Sequence, residues 1–407
     1  MSIFSETKIV IPQTDLVTQI ALSNVPLLPT LAVSTGTRIL FFNESGEKLE
    51  MELFKGLTPT YIEYHPNLPQ LAIGWQNGGV TLFNEDQKMV KEEAGVHKSA
   101  VILIVYQPSG NCMVSTDEKG LVAVWRGINC ISTYQREGVI TNCIFCELNF
   151  PEKEGQKLKT SNLFFFGGKS GVVCLADSSN HCSEVCKVGG AIKSLLFYEK
   201  ENSVIIITST LLLVQFRISP NEKTAPDKKV KLSIAGDPEK LVSIWIGSCL
   251  LSTCSTENML RFWHLENDEN YVLTLFDVEQ AIGGLNTFTD KIVSIKYESK
   301  GKVLIGGTKE GKVLFWKNQG FGNSSPSDSD QWKAMPFISM ASGINQITSG
   351  LNSGLMAVRS GNNVSLVNET VVNGKAAAGL KILQTSSNKV QIYVQNEIVN
   401  QVIFIKK

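Results

Sequence analysis

The sequence predicts an all-β fold built as a ring of repeated blades, and three observations lead there. Apolar and polar residues alternate over runs of roughly four to six residues, bounded by Gly, Pro and Asn, which is the period of a pleated strand. The runs come in sets joined by tight turns. The sets recur, with a large apolar residue returning at intervals of roughly 40 to 55 residues.

The stretch Pro59 to Glu85, PTYIEYHPNLPQLAIGWQNGGVTLFNE, shows one set. Tyr61 to Tyr64 alternates and stops at His65-Pro66. Leu71 to Trp75 is a more apolar run, Asn77-Gly78-Gly79 makes a turn, and Val80 to Phe83 follows as a third strand. Glycine takes the positive φ that a tight hairpin needs.

Aligning on the end of the third strand gives the anchors Phe42, Phe83, Trp125, Leu175, Phe216, Trp263, Trp316 and Val367. A period of about 40–45 residues with an aromatic residue closing the third strand marks a WD40-type propeller blade. Each anchor is preceded by a matching strand pair, as in His97 to Thr116 and Ile292 to Thr308. Val204 to Val214, the longest apolar stretch, is broken by Thr208-Ser209-Thr210 and reads as two strands around a turn. The longer intervals are expected to hold surface loops at Pro151 to Ser161, Ser219 to Lys229, Val278 to Asp290 and Gly320 to Asp330.

Residues 1–338 are thus expected to form a seven-bladed propeller, with Lys8 to Pro12 as a lone strand available to complete the last blade. Residues 339–407 are expected to begin a second propeller, the alternative being a single eight-bladed ring. On the first reading a chain ending near Phe337 should melt more cooperatively than the full sequence. Trp125, Trp263 and Trp316 are expected to be core residues.

Composition excludes several classes. The 407 residues carry 38 basic and 38 acidic side chains, so no basic excess points to nucleic acid. The N-terminus MSIFSETK lacks the features of a secretory signal, and no apolar run is long enough for a membrane span. Nine scattered cysteines fit a reducing cytosol better than a disulfide framework.

No set of residues converges on chemistry. The four histidines, His65, His97, His181 and His264, are dispersed. His97, Ser115, Asp117 and Trp125 could form a hydrogen-bonded tetrad that braces a blade, although Lys119 stands six before the Trp, where Asp is usual. Cys143 and Cys146 are spaced as C-x-x-C, but residues three apart on a strand point to opposite faces. His181-Cys182 and Cys186 lie in the same blade and read as unligated side chains. The paired glycines lack the Gly-Lys-Ser/Thr ending of a phosphate loop. Ser324, Ser325, Ser327 and Ser329 beside Asp328 and Asp330 read as a solvated loop. The expectation is therefore no catalytic, cofactor-binding or metal-binding residue. An enzyme or small-ligand receptor, the rival class, would show charged residues clustered toward the ring axis.

Several phrases together resemble the amino-terminal propeller of the intraflagellar transport protein 140 family. They are Tyr64 to Asn84, Gln107 to Cys112, Thr141 to Phe145, Leu260 to Trp263 with Glu269 to Tyr271, and Gly306 to Thr308 with Gly311 to Val313 and Trp316. The resemblance runs in order from about residue 8 to 360, and the last forty residues match poorly. It implies a non-enzymatic scaffold of intraflagellar transport complex A. The implied partners are the other complex A subunits and adaptors for ciliary membrane cargo. The implied locations are the cytoplasm, ciliary base and axoneme, and the implied role is retrograde transport and ciliary entry of membrane receptors. Family members continue beyond the point where this chain stops, so the resemblance implies a truncated form. A coat or adaptor scaffold outside cilia is the alternative.

Overall fold

The computed structural model describes residues 2–403 except 13–14, 26–29, 149–162, 219–225, 248–249, 267–268, 320–330, 351–353, 372–373, 378–379, 387–388 and 395–396. Its strands form nine four-stranded antiparallel sheets. Seven are contiguous in sequence: blade one over residues 19–54, two over 59–93, three over 101–135, four over 140–187, five over 192–231, six over 242–274 and seven over 292–339. In each, the first strand lies innermost against the first strands of its neighbours.

The ring has eight blades, not seven. The eighth takes its inner three strands from Ile344–Ser349, Leu355–Ser360 and Asn363–Val371, and its outer strand from Ser2–Ile9. The pairing runs in register from Ser2 opposite Val371 to Ile9 opposite Val364. Ile344–Ser349 lies beside the inner strands of blades seven and one, which closes the ring. The closing strand expected at Lys8 to Pro12 therefore falls mostly N-terminal of that stretch. Phe4 stacks on Phe315 of blade seven, centroids 3.9 Å apart and planes 4° apart. Lys317 Nζ donates to Ser2 Oγ at 2.8 Å and pairs with Glu369. Beyond the ring, strands Gly374–Ala377, Leu380–Ser386, Lys389–Val394 and Glu397–Ile403 pair in sequence order as a ninth sheet.

The core lies between blades. Each interface holds its own apolar cluster, such as Ile20, Leu22, Leu31, Leu40, Phe42 and Leu366 where blades eight and one meet. Turn glycines allow the blades to approach. Gly78 has φ +88°, and a Cβ there would lie 2.5 Å from the His97 carbonyl oxygen. Gly120, Gly171 and Gly311 repeat the arrangement against Arg136, Val188 and Ser342. Any side chain at these positions would combine backbone strain with a clash.

The glycine positions also correct the anchors. Trp125 and Trp316 stand five residues after Gly120 and Gly311 and are fully buried. In blade four the residue five after Gly171 is Ala176, which is buried, whereas Leu175 is half-buried. Trp263 is also only half-buried, and its neighbour Phe262 is the core residue, stacked on Tyr271 at 4.6 Å. Strand Met259–His264 alternates strictly between buried and half-buried positions, and the Trp falls in the less covered phase.

Two expected loops contain regular structure. Pro226–Lys231 is the outer strand of blade five, and Leu275–Ile282 is a short helix between blades six and seven. Thr274 caps it by accepting from Asp277 N–H at 3.1 Å, while Asp277 accepts from Thr274 N–H at 3.0 Å, a reciprocal box. The loops expected at Pro151 to Ser161 and Gly320 to Asp330, with its serines, lie outside the described residues.

Trp125→Ala and Trp316→Ala should each cost about 3–5 kcal/mol, the range for aromatic deletions in a core. Trp263→Ala should cost clearly less than Phe262→Ala in the same denaturant titrations. A chain ending at Phe337 loses the inner three strands of the closing blade and leaves Ser2–Ile9 without its ladder. Its thermal unfolding should be broader and begin at a lower temperature than that of the full chain, which reverses the expectation from seven blades.

Candidate functional site

The chemistry-bearing side chains fall into three places: the blade interfaces, the axis of the ring and the sulfur-rich blade four. In blade three the tetrad assembles. Trp125 Nε1 donates to Ser115 Oγ at 2.7 Å, and Ser115 Oγ lies 2.6 Å from His97 Nε2. His97 Nδ1 lies 3.3 Å from Asp117 Oδ2. The Asp117 contact does not meet hydrogen-bond geometry, since Nδ1 is buried without a hydrogen-bond partner, so Asp117 acts on the ring through its charge. Burial holds the His97 pKa below its usual range, against the pull of Asp117. The other Asp117 oxygen accepts from Lys119 and Leu121 N–H at 2.9 and 3.0 Å, tightening the turn at Gly120. The carboxylate thus comes from the end of strand Met113–Asp117 rather than from position 119. All four side chains are buried, so the set braces the blade and offers no surface to a substrate.

The other histidines are elsewhere. His65 accepts from Asn67 and Leu68 N–H at Nδ1, each at 3.0 Å, and reaches the Gly110 carbonyl through Nε2 at 3.0 Å, joining blades two and three. Burial lowers its pKa as well. His264 is buried in blade six, and exposed His181 contacts Asp177 at 3.1 Å. Cys143 and Cys146 diverge as expected, Cys143 toward the cluster shared with blade three and buried Cys146 into the cluster shared with blade five. Burial raises both thiols, Cys146 to about 12. Among the described residues no three His, Cys, Asp or Glu side chains are grouped to hold a metal ion, and no helix is long and apolar enough to cross a membrane.

At the axis, inner strands expose backbone groups on their channel side, and side-chain amides meet several of them. Gln19 of blade one donates to Thr60 carbonyl and accepts from Ile62 N–H, both at 3.0 Å. Gln346 of blade eight spans to Ile20 in the same way at 2.9 and 3.0 Å. Asn142 donates to the Ile192 carbonyl at 3.1 Å. Gln19 and Gln346 line a channel cavity of about 320 Å³ bordered also by Tyr61, Glu63, Lys296 and Thr348.

Sequence reasoning missed Glu63 and Lys296. Each sits mid-strand in an alternating run, where a charge reads as solvent-facing, and the ring turns both toward the axis. Glu63 makes no hydrogen bond or ion pair among the described residues, and burial raises its carboxyl to about 7 despite the field of Lys296. Glu63 and Lys296 thus place one acid and one base in the lining of this cavity.

The sign of the Glu63 effect is testable. The folded state holds its proton up to about pH 7, while an unfolded carboxyl releases it near 4.5. Stability is therefore lost as pH rises from 4.5 through 7. Glu63→Gln should raise the melting temperature at pH 8 and leave it near that of the parent at pH 4.5.

Comparison with known proteins follows the same architecture. The crystal structure of the C-terminal WD40 domain of Sif2 superposes with a TM-score of 0.65 at 12% identity, covering 89% of this chain and 98% of that one. This likeness supports the fold alone. The IFT140 first beta-propeller family matches over residues 3–158 and 149–370, ending where the closing blade ends. The chain belongs to the IFT140 first beta-propeller family.

Proposed function

We propose that this chain is a non-enzymatic scaffold of the intraflagellar transport complex A particle, serving retrograde transport in cilia and the ciliary entry of membrane receptors. The observation that carries the reading is the family match across the whole ring, blades one to eight. The internal chemistry is compatible with it. His65 and the channel amides are spent on blade-to-blade contacts and His97 on bracing blade three, which suits a rigid disc that presents loops and outer strands to partners. Partners on this reading are the other complex A subunits and adaptors for ciliary membrane cargo, encountered in the cytoplasm, at the ciliary base and along the axoneme. The ninth sheet, over residues 374–403, is on the same reading the first blade of a second propeller that follows the ring.

A tagged full chain expressed in ciliated cells should co-purify with complex A subunits, and a Gly78→Val form that opens the blade two–three contact should lose them. Failure of the intact chain to recover any complex A subunit, where a known pair is recovered in parallel, would favour an adaptor role outside cilia.

A further inference from the structure

Blade four carries a thiol arrangement that neither bracing nor scaffolding uses. Arg136, in the connection from blade three, donates from Nη2 to Cys182 Sγ at 2.8 Å. Its Nε is buried without a hydrogen-bond partner, and no carboxylate pairs with it among the described residues. Cys182 and Cys174 lie on one face of adjacent strands, Cys182 opposite Ala176 and Cys174 opposite Glu184, with a bulge next to Cys174. Both join the apolar cluster between blades three and four. Cys186 does not belong to this group, because it packs on the other side toward blade five. A cavity of about 360 Å³ reaches Arg136 and Cys174 from the surface, bordered by Glu137, Ser170, Glu184 and Lys187.

We propose that Cys182 and Cys174 form a peroxide-sensitive thiol pair in which Arg136 activates Cys182 and Cys174 resolves its oxidised form. A guanidinium whose N–H is aimed at sulfur stabilises negative charge as that sulfur attacks. Burial raises the Cys174 thiol to about 11, although Arg136 opposes the shift, so Cys174 stays protonated and acts second. In the first step the Cys182 sulfur attacks the O–O bond of a hydroperoxide ROOH, taking one oxygen as Cys182–SOH and releasing ROH, with the thiol proton passing to the alkoxide. In the second, the Cys174 sulfur displaces hydroxide from Cys182–SOH, its proton leaves with that hydroxide as water, and a disulfide forms. Two thiols and one ROOH thus give one disulfide, ROH and water. A thiol reductant such as glutathione returns both cysteines, itself becoming a disulfide. Cys182 and Cys174 lie diagonally across one strand pair beside the bulge between Val173 and Cys174, and the strands must adjust there for the sulfurs to close.

The test uses the reduced full chain, hydrogen peroxide as probe, and mass spectrometry after differential alkylation. Cys182 and Cys174 should lose alkylation together, appear as one disulfide-linked peptide pair, and recover with glutathione while Cys146 and Cys254 remain reduced. Arg136→Gln should slow Cys182 oxidation about tenfold, and Arg136→Lys should restore part of the rate. Cys174→Ser should stop at a sulfenic acid on Cys182 that a 1,3-dione reagent traps, a readout that stands even if Arg136→Gln fails to fold. Oxidation of Cys182 no faster than that of half-buried Cys130 would overturn the proposal. So would a parent-like rate in a folded Arg136→Gln chain, or absence of the trapped sulfenic acid in Cys174→Ser.

Discussion

Ring closure is the constraint on which the rest depends. A four-stranded blade has two apolar faces, and neither is covered until a neighbour sits on each side. Seven of the eight interfaces join blades that follow one another along the chain. The eighth must bring residues 344–371 against blade one, and the chain completes that blade with its own first strand. The ladder from Ser2 to Ile9 completes blade eight, and the Phe4–Phe315 stack and the Lys317–Glu369 pair fasten that blade to blade seven. An open ring would leave Ile20, Leu31, Phe42 and Leu366 facing water at once, at about 1.5–3 kcal/mol for each large side chain. Such a seam makes the blades interdependent, since loosening one end exposes both.

The parts that sequence could read are those encoded within one repeat. Strands, turn glycines and the anchor aromatics recur at local spacing, and Gly78, Gly120 and Gly311 mark them for a definite steric reason. What could not be read depends on distance or on phase. The closing blade is assembled from both ends of the chain, and its anchor Val367 is not aromatic, so counting repeats undervalues it. At Phe262-Trp263 and Leu175-Ala176 two neighbouring residues are both apolar, and period two cannot say which one turns inward. The helix Leu275–Ile282 is short and reads as a polar connection until its capping box is seen. The set His97, Ser115, Asp117 and Trp125, by contrast, lies within one repeat and was legible despite Lys119 at the usual Asp position.

The channel was illegible for a related reason. A half-exposed strand position becomes axial only when its strand is innermost and the ring is closed. Glu63 and Lys296 then share a cavity with Gln19 and Gln346, whose amides take the place of a missing neighbouring strand. The amides offset the cost of unpaired backbone groups, whereas the carboxyl at 63 makes no such bond, and burial raises its pKa to about 7 despite Lys296. Polar residues at the axis thus differ in kind. Gln19 and Gln346 are structural, and Glu63 carries a cost that the rest of the ring absorbs.

The same bookkeeping indicates where a scaffold of this type can evolve contacts. Side chains locked between blades cannot also face a partner, and His65, His97, Trp125 and the turn glycines are locked. What remains free is the outer strands, the connections and the ring surface. Pro226–Lys231 is exposed throughout, and the helix and loop between blades six and seven expose Phe276 and Phe288. Exposed aromatic side chains contribute little to the ring itself, so changing them should leave the fold intact. This division of labour lets the outer surface change while the interior stays fixed. The interface of blades three and four is where the division blurs, because there a guanidinium and two thiols sit at the seam, and a cavity from outside reaches Arg136 and Cys174.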